Sequence, residues 1–92
     1  MDNFTANIRG HFLYVNSIMD KDEKCVEICY LFDYIFLDEN AIYLHEEPEL
    51  IVAIYNTILR LSQSQNRLER ELSDIYFPMI EKRIQENDMY NI

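Results

Sequence analysis

Apolar residues recur at helical spacing through the second half of this 92-residue sequence. Ile51, Ile54, Ile58 and Leu61 follow one another at steps of three and four, which places their side chains on one face of a helix. The segment Glu-Glu-Pro-Glu at residues 46–49 precedes them and suits a helix start. Proline has no N–H to leave unpaired there, and acids favour the positive end of the helix dipole. The pattern predicts a helix that begins within this segment.

A polar stretch from Ser62 to Asn66 interrupts the apolar series, which resumes at Leu68. We expect this interruption to be a turn, so that residues 46–92 form a hairpin of two helices. If the helix instead ran on, positions 51-54-58-61-65-68-72-75-79 would form a heptad series in one helix of roughly 40 residues, able to pair with a second chain. Pro78 argues against such an undisturbed helix, because it removes one backbone hydrogen bond and should kink or restart it. The seam of a homodimer would contain Ile58, Leu61, Leu68, Leu72, Ile75 and Met79.

The first half, residues 1–45, is rich in aromatic and β-branched residues, and its period is ambiguous. Residues 11–18 alternate as a strand would, while residues 34–37 and 41–45 are two β-prone runs joined by turn-forming residues 38–40. Because Val, Ile, Tyr and Phe favour strands, we predict an α+β fold. In this fold a short antiparallel sheet, or hairpins, packs against the two C-terminal helices. The alternative is an all-α helical bundle, since the same half also has apolar residues at helical steps, Phe4-Ile8-Phe12-Val15 and Cys25-Ile28-Cys29-Phe32-Phe36.

Length and hydropathy indicate a single domain over residues 1–92 that does not enter a membrane. The longest apolar run, residues 25–37, is interrupted by Glu27 and Asp33 and is shorter than the roughly 20 residues a membrane-spanning helix needs. The N-terminus lacks the basic start and apolar stretch of a signal peptide. We therefore expect a cytoplasmic protein, in which Cys25 and Cys29 are buried thiols.

No motif in the sequence indicates catalysis. A single glycine leaves no room for a Gly-rich phosphate loop, and there is no HExxH pattern. A zinc site at Cys25 and Cys29 would need two further ligands, and His11 and His45 lie far away in the sequence. We expect no enzymatic activity, no metal and no cofactor. A net charge of −9 also disfavours direct binding of nucleic acid, which requires Lys and Arg to neutralise phosphates.

The negative charge is concentrated in the central third of the chain. Residues 20–49 contain ten carboxylates opposed by two lysines, whereas the flanking segments are nearly neutral. Clustered carboxylates repel one another, so the cluster is either a solubilising face or a surface that meets a basic partner. The candidate partner-binding residues are Asp20, Asp22, Glu23, Glu27, Asp33, Asp38, Glu39, Glu46, Glu47 and Glu49.

Carboxylates at these positions can imitate the charge spacing of a DNA duplex. Phosphates recur about every 3.4 Å along each strand of B-DNA. Same-face residues are about 6.6 Å apart on a β-strand and about 6 Å apart at i, i+4 on a helix. In its size, its charge and its acidic segment 20–49, the chain resembles the DNA-mimic inhibitors of phages, and most of all the Arn anti-restriction proteins of T-even phages. The resemblance implies a dimeric mimic of double-stranded DNA that blocks a basic DNA-binding protein of the host, either a restriction nuclease or a nucleoid protein.

Two other interpretations use the same residues differently. The first is an immunity-like or antitoxin-like inhibitor that caps a basic nuclease toxin, with Tyr30, Tyr34 and Tyr43 as aromatic anchors among the acids. The second is a structural or regulatory helical dimer that works through the seam in residues 51–79, in which case the acids serve only solubility.

Overall fold

The computed structural model describes the backbone of residues 3–90 and the side chains of residues 3–87, and its regular structure there is helical. The elements are α1 (Asn3–Ser17), α2 (Lys21–Ile35), a 3-10 helix (Asp38–Asn40), α3 (Ala41–His45), α4 (Pro48–Ser62) and α5 (Arg67–Tyr90).

The predicted α+β fold is wrong, because residues 3–90 contain no strand. Residues 11–17 belong to α1, and the predicted hairpin at 34–45 is the end of α2 followed by the 3-10 helix and α3. The fold is the all-helical alternative. Its physical basis is burial: each large apolar side chain taken into a core contributes about 1.5–3 kcal/mol, whereas the strand propensities of different residue types span only about 1 kcal/mol per residue. A helical stripe of apolar residues therefore outweighs a local preference for strand.

The buried residues of α1 and α2 follow that stripe. Phe4, Ile8 and Val15 are buried on α1, and the buried positions of α2 include Ile28 and Phe32. All of them join one core cluster with the buried residues of α4 and α5. Period, rather than residue preference, decided the structure of this half.

Asp20 determines where α2 begins. Its carboxylate accepts a hydrogen bond from the backbone N–H of Glu23 at 2.9 Å, which satisfies one of the unpaired donors of the first turn. Asp22 and Glu23 lie in that turn, next to the positive end of the helix dipole. Three of the ten clustered acids thus have a local structural reason for their positions.

The predicted hairpin of two helices in the second half is confirmed. Residues 63–66 separate α4 from α5, so the single long helix with a continuous heptad seam does not form. Asn66 caps α5 by accepting from the N–H of Glu69 at 3.1 Å. α5 does not restart at Pro78, because the helix runs through that residue to Tyr90.

The four longer helices form a bundle in which α2 and α5 run parallel. Lys21 meets Glu69 at one end of this pair, and Arg83 reaches the carbonyl of Phe36 at the other. α1 runs antiparallel to α2, because Phe4 near its start stacks with Tyr34 near the end of α2, while Val15 near its end lines a cavity with Lys24. α4 is antiparallel to α5, since Ile51 near its start lines a cavity with Ile84 of α5. The Cα extents are 41 × 26 × 19 Å. α3 and the 3-10 helix close the end of the bundle at which α2 finishes and α4 begins.

Candidate protein-binding surface

The structure separates the ten acids into groups at opposite ends of α2. Asp20, Asp22 and Glu23 lie at its start, and Glu27 and Asp33 lie along it. The remaining five lie beyond its end, in the 3-10 helix and around the start of α4. A helix of the length of α2 spans about 22 Å, so the chain does not gather all ten acids on one patch.

Acids and bases are mixed at the end of the molecule where α2 begins. Lys21 and Lys24 alternate with the acids in the sequence, and the neighbouring end of the α4–α5 hairpin carries Arg60, Arg67 and Arg70. The ammonium group of Lys21 lies 3.3 Å from the carboxylate of Glu69 on α5 and pairs with it. This end of the molecule therefore presents mixed charge and little net field.

The other end of the molecule is strongly acidic. We call residues 38–49 the acidic elbow: the 3-10 helix, α3 and the first turn of α4. It contains no Lys or Arg, and its carboxylates are Asp38, Glu39, Glu46, Glu47 and Glu49. All except the half-buried Glu47 are exposed. Among the described side chains, no ion pair involves Glu39, Glu46 or Glu49.

Arg83 of α5 anchors the elbow to the bundle. Its guanidinium is buried and donates to the carbonyl oxygen of Phe36 at 3.1 Å and to Oδ1 of Asp38 at 3.1 Å. It also donates to both carboxylate oxygens of Glu86, at 2.8 and 3.1 Å. Its Nε atom is buried without a partner. Because the planar guanidinium reaches the end of α2 and the 3-10 helix together, it fixes the orientation of the elbow.

A buried asparagine fixes the same corner. Asn40 donates from Nδ2 to the carbonyl oxygen of Tyr34 at 2.8 Å. This bond closes the turn from α2 into the 3-10 helix. Together with Arg83 it gives the elbow a defined conformation, which lowers the entropy that ordering its carboxylates on binding would cost.

One phenylalanine holds two tyrosines in place, one of them before the elbow and the other within it. The ring of Phe4 stacks with that of Tyr34 at 5.9 Å between centroids and with that of Tyr43 at 5.4 Å. Phe4 itself is buried, while Tyr34 and Tyr43 remain 44% and 41% exposed. Leu37 and Ile42 are also exposed at this end. Tyrosine is among the residue types enriched at protein interfaces, so this end of the molecule is a candidate binding surface.

Asp33 also has a structural role, because it bonds to a residue of another helix. It accepts a hydrogen bond from the hydroxyl of Tyr76 at 2.6 Å, and that hydroxyl also lies 3.4 Å from the carbonyl oxygen of Cys29. Burial and the hydrogen bond to Asp33 raise the pKa of Tyr76 above its ordinary value. This carboxylate therefore links α2 to α5 as well as adding to the surface charge.

The six residues predicted for a dimer seam divide into two sets. Ile58, Leu61 and Leu72 are buried in the core of the chain itself, whereas Leu68, Ile75 and Met79 are exposed on α5. The turn at 63–66 removes the continuity of the series. An exposed apolar stripe nevertheless remains on α5.

The structure offers no obvious catalytic arrangement among the described side chains. An open groove of about 820 Å³ lies between α1 and α4, and its charged lining residues are Arg9, Glu49 and Arg60. Within the described part of the chain, no three His, Cys, Asp or Glu side chains are placed to hold a metal ion. No helix there is long and apolar enough to cross a membrane. Cys25 is a buried thiol, and Cys29, also unpaired, is half-buried.

Comparison with known proteins gives no relative: no family model, curated protein or solved structure matches the chain.

Sequence reasoning missed Arg83 and Phe4, the two side chains that hold the surface in shape. Arg83 follows Tyr76 and Ile80 at steps of four and three, so helical period places it on the buried face of α5. That signal was available in the sequence. The ring stack on Phe4 has no such signal, because it joins α1 to residues from two other helices.

Proposed function

We propose that this protein is a non-enzymatic inhibitor that binds a basic DNA-binding protein through the acidic elbow and occupies the surface that would otherwise hold DNA. The observation that supports the proposal is the absence of any Lys or Arg from residues 38–49, beside five carboxylates. Acids elsewhere on the surface are interleaved with bases. Asp38 is paired with Arg83, so the unpaired charge of the elbow lies on its other carboxylates. This charge is held at one preorganised end of the molecule, where it attracts a basic surface.

The arrangement fits protein recognition better than simple solubility. Solubility requires charge anywhere on the surface, whereas here Arg83 and Asn40 fix the backbone that carries the carboxylates. The anchored rings of Tyr34 and Tyr43 add apolar contact area next to the charge. Charge then steers the encounter and determines its salt dependence, while buried aromatic contacts supply most of the affinity.

The test is capture from bacterial lysate by the immobilised protein at about 50 mM and about 500 mM salt, with and without competitor duplex DNA. The proposal requires capture of basic DNA-binding proteins that salt releases and duplex DNA displaces. If a captured partner resists both salt and DNA, or if nothing basic is captured, the inhibitor function is refuted.

A matched pair of variants tests whether the elbow is the binding surface. Glu39→Gln with Glu46→Gln removes two exposed charges from the elbow, and Asp74→Asn with Glu81→Gln removes two exposed charges from α5. Both variants have the same net charge. We expect the elbow variant to weaken capture at least about fivefold and the α5 variant to change it less than about twofold. Equal effects would show that only net charge matters.

A nuclease toxin is the second candidate partner, favoured by the two ring stacks on Phe4. An immunity-like inhibitor would hold its toxin mainly through Tyr34 and Tyr43. In that case Tyr34→Ala with Tyr43→Ala would abolish binding, and the complex would persist at about 500 mM salt.

A further inference from the structure

The side of the bundle between α1 and α4 is more open than the other three sides. Ring contacts cross each of those three: Phe12 with Phe32, Phe32 with Tyr76, and Tyr55 with Phe77. Between α1 and α4 lies instead the open groove of about 820 Å³, which we call the α1–α4 groove. Its volume is within the range of about 300–1,000 Å³ that small-molecule sites occupy.

The middle of the α1–α4 groove is apolar. Phe12 and Leu13 line it from α1, and Leu50 and Ala53 line it from α4. Leu13 is 73% exposed, so its side chain is accessible to a ligand. The α4 wall rises about 15 Å between Leu50 and Arg60. An extended alkyl chain of about twelve carbons has a similar length, since its C–C bonds are about 1.5 Å long and run in a zigzag.

Basic side chains without a carboxylate partner lie at the end of the groove where α1 and α4 finish. A cavity of about 230 Å³ adjoins the groove there and shares Asn16, Thr57 and Arg60 with it, and Lys24 of α2 also lines this cavity. Lys24 is half-buried. Neither Lys24 nor Arg60 forms an ion pair with any other described side chain. A cation that is partly withdrawn from water without a counter-ion favours an anionic ligand.

The acid that lines this cavity is already paired. The carboxylate of Glu69 lies 3.3 Å from the ammonium group of Lys21, and it accepts a hydrogen bond from the hydroxyl of Ser64 at 3.0 Å. This end of the molecule has mixed charge as a whole. The lining of the cavity is nevertheless positive, because Lys24 and Arg60 remain after Lys21 and Glu69 have neutralised each other.

Other acids near the groove do not reach this cavity. On α2, Asp20 and Glu27 are about one turn from Lys24, but neither of them lines the cavity, and the carboxylate of Asp20 caps the helix. At the far end of the groove the charges of Arg9 and Glu49 offset each other. A ligand carboxylate is therefore attracted to the end that Lys24 lines.

Thr57 positions the guanidinium of Arg60. The Thr57 hydroxyl donates to the carbonyl oxygen of Ala53 at 2.9 Å and accepts from Nη2 of Arg60 at 3.3 Å. Because Thr57 lines both cavities, this bond holds the guanidinium where the groove and the smaller cavity join. The guanidinium donates to no other described group, so its remaining N–H groups are available to a carboxylate.

We propose that the α1–α4 groove binds a linear monocarboxylate with a medium-length alkyl chain, of the class of the medium-chain fatty acids. The ligand carboxylate lies between Lys24 and Arg60, and the alkyl chain runs along Phe12 and Ala53 towards Leu50. The carboxylate end of this site is at the opposite end of the molecule from the acidic elbow, so the inference is independent of the proposed function. Elsewhere the net charge of −9 repels a carboxylate.

The probe is dodecanoate, titrated into the protein by calorimetry at low salt and compared with decanoate and octanoate. We expect dodecanoate to bind with a dissociation constant below about 100 μM. Each removal of two CH₂ groups should weaken binding at least about threefold, because fully burying one CH₂ group strengthens binding about fourfold and the groove is open on one side.

A matched pair of variants tests the carboxylate end of the site. Lys24→Gln with Arg60→Gln removes the two cations of the cavity, and Arg67→Gln with Lys82→Gln removes two exposed cations from α5. Both variants have the same net charge. The cavity variant should bind dodecanoate at least about tenfold more weakly, and the control should change by less than about twofold.

A second pair of variants tests the alkyl end. Ala53→Phe places a ring in the groove, whereas Val26→Phe enlarges an exposed side chain on α2 that does not line the groove. Both positions are exposed, so the fold should tolerate each ring, and circular dichroism at 222 nm confirms this. Ala53→Phe should weaken dodecanoate binding at least about tenfold, and Val26→Phe less than about twofold.

Four outcomes would overturn the proposal. The first is no binding of dodecanoate at about 1 mM. The second is an affinity that does not depend on chain length, which would mean that the groove does not hold the alkyl chain. The third is an equal loss in either variant and its control, which would place the ligand elsewhere. The fourth is cosedimentation with phosphatidylglycerol vesicles without binding of dodecanoate, which would make a lipid surface the ligand.

Discussion

Replacing Arg83 by methionine tests whether the buried guanidinium stabilises the fold. Methionine keeps most of the aliphatic length, so the change removes the hydrogen bonds without opening a large cavity. The lost partners are the Phe36 carbonyl, Asp38 and the two carboxylate oxygens of Glu86. The Arg83 side chain is 6% exposed, whereas that of Asp38 is 95% exposed and that of Glu86 is 29% exposed.

The exposed fractions of these side chains determine how much the Arg83→Met change lowers the free energy of unfolding. The bond to the Phe36 carbonyl should contribute about 1.5 kcal/mol, as expected for a charged donor. The pair with Asp38 should contribute about 0.5 kcal/mol, because that carboxylate is in water. The two bonds to the half-buried Glu86 add about 1 kcal/mol. Against this, methionine removes the unpaired Nε of Arg83, which relieves about 1 kcal/mol. The expected net loss is about 2 kcal/mol, or roughly 30-fold in the unfolding equilibrium.

Urea unfolding followed by circular dichroism at 222 nm measures this loss. Arg67→Met is the control, because it breaks the Arg67–Glu71 pair, in which the arginine side chain is 84% exposed, and should cost less than about 0.5 kcal/mol. If Arg83→Met were no more destabilising than Arg67→Met, or if it were stabilising, the guanidinium would cost more to bury than its partners return, and the reasoning would be refuted.

Three further predictions concern other buried or helical groups. The pKa of Tyr76 is raised in the folded state. The contribution of Tyr76 to the free energy of unfolding is therefore complete below pH about 10, and above that pH it falls by about 1.4 kcal/mol per pH unit. Tyr76→Phe should lose about 1–2 kcal/mol at neutral pH with the bond to Asp33 and should show a smaller loss in alkaline urea titrations; an unchanged alkaline slope would contradict this. Burial and, to a lesser degree, the charge of Glu69 raise the pKa of the Cys25 thiol, so a disulfide reagent should label Cys29 first in the native protein, as mass spectrometry of Cys→Ser variants would show. Gly10→Ala should raise the free energy of unfolding by about 0.5–1 kcal/mol, because Gly10 lies within α1 and an added Cβ meets nothing within 4 Å; destabilisation would mean that α1 packs differently.

The second half of the chain was predictable because its local signals agree with one another. Apolar spacing, Pro48 at the helix start and the polar stretch at 63–66 all indicate two helices, and the structure has α4 and α5 there. In the first half the signals disagree. Residue preference favours strands, whereas the apolar period also fits helices, and only burial against α4 and α5 decides between them. The predicted α+β fold followed the weaker of those two signals.

The number of acidic residues could be predicted from the sequence, but their positions on the surface could not. Ten carboxylates in residues 20–49 are visible in the sequence. Their separation along α2 is not, because it depends on that segment being one straight helix with acids at both ends. Neither is the pairing of Lys21 with Glu69, which is distant in the sequence.

By itself the sequence determined the net charge, the helical hairpin and the absence of recognisable catalytic motifs, because each is a property of composition or of neighbouring residues. Tertiary structure decided that the described part of the first half forms α1, α2, the 3-10 helix and α3, and that Asp38 alone among the elbow carboxylates is paired with Arg83. These features require side chains that are tens of residues apart to meet, as Arg83 meets Phe36 and Tyr76 meets Asp33. Such contacts exist only after the chain has packed, and no local pattern specifies which distant partner a side chain will find.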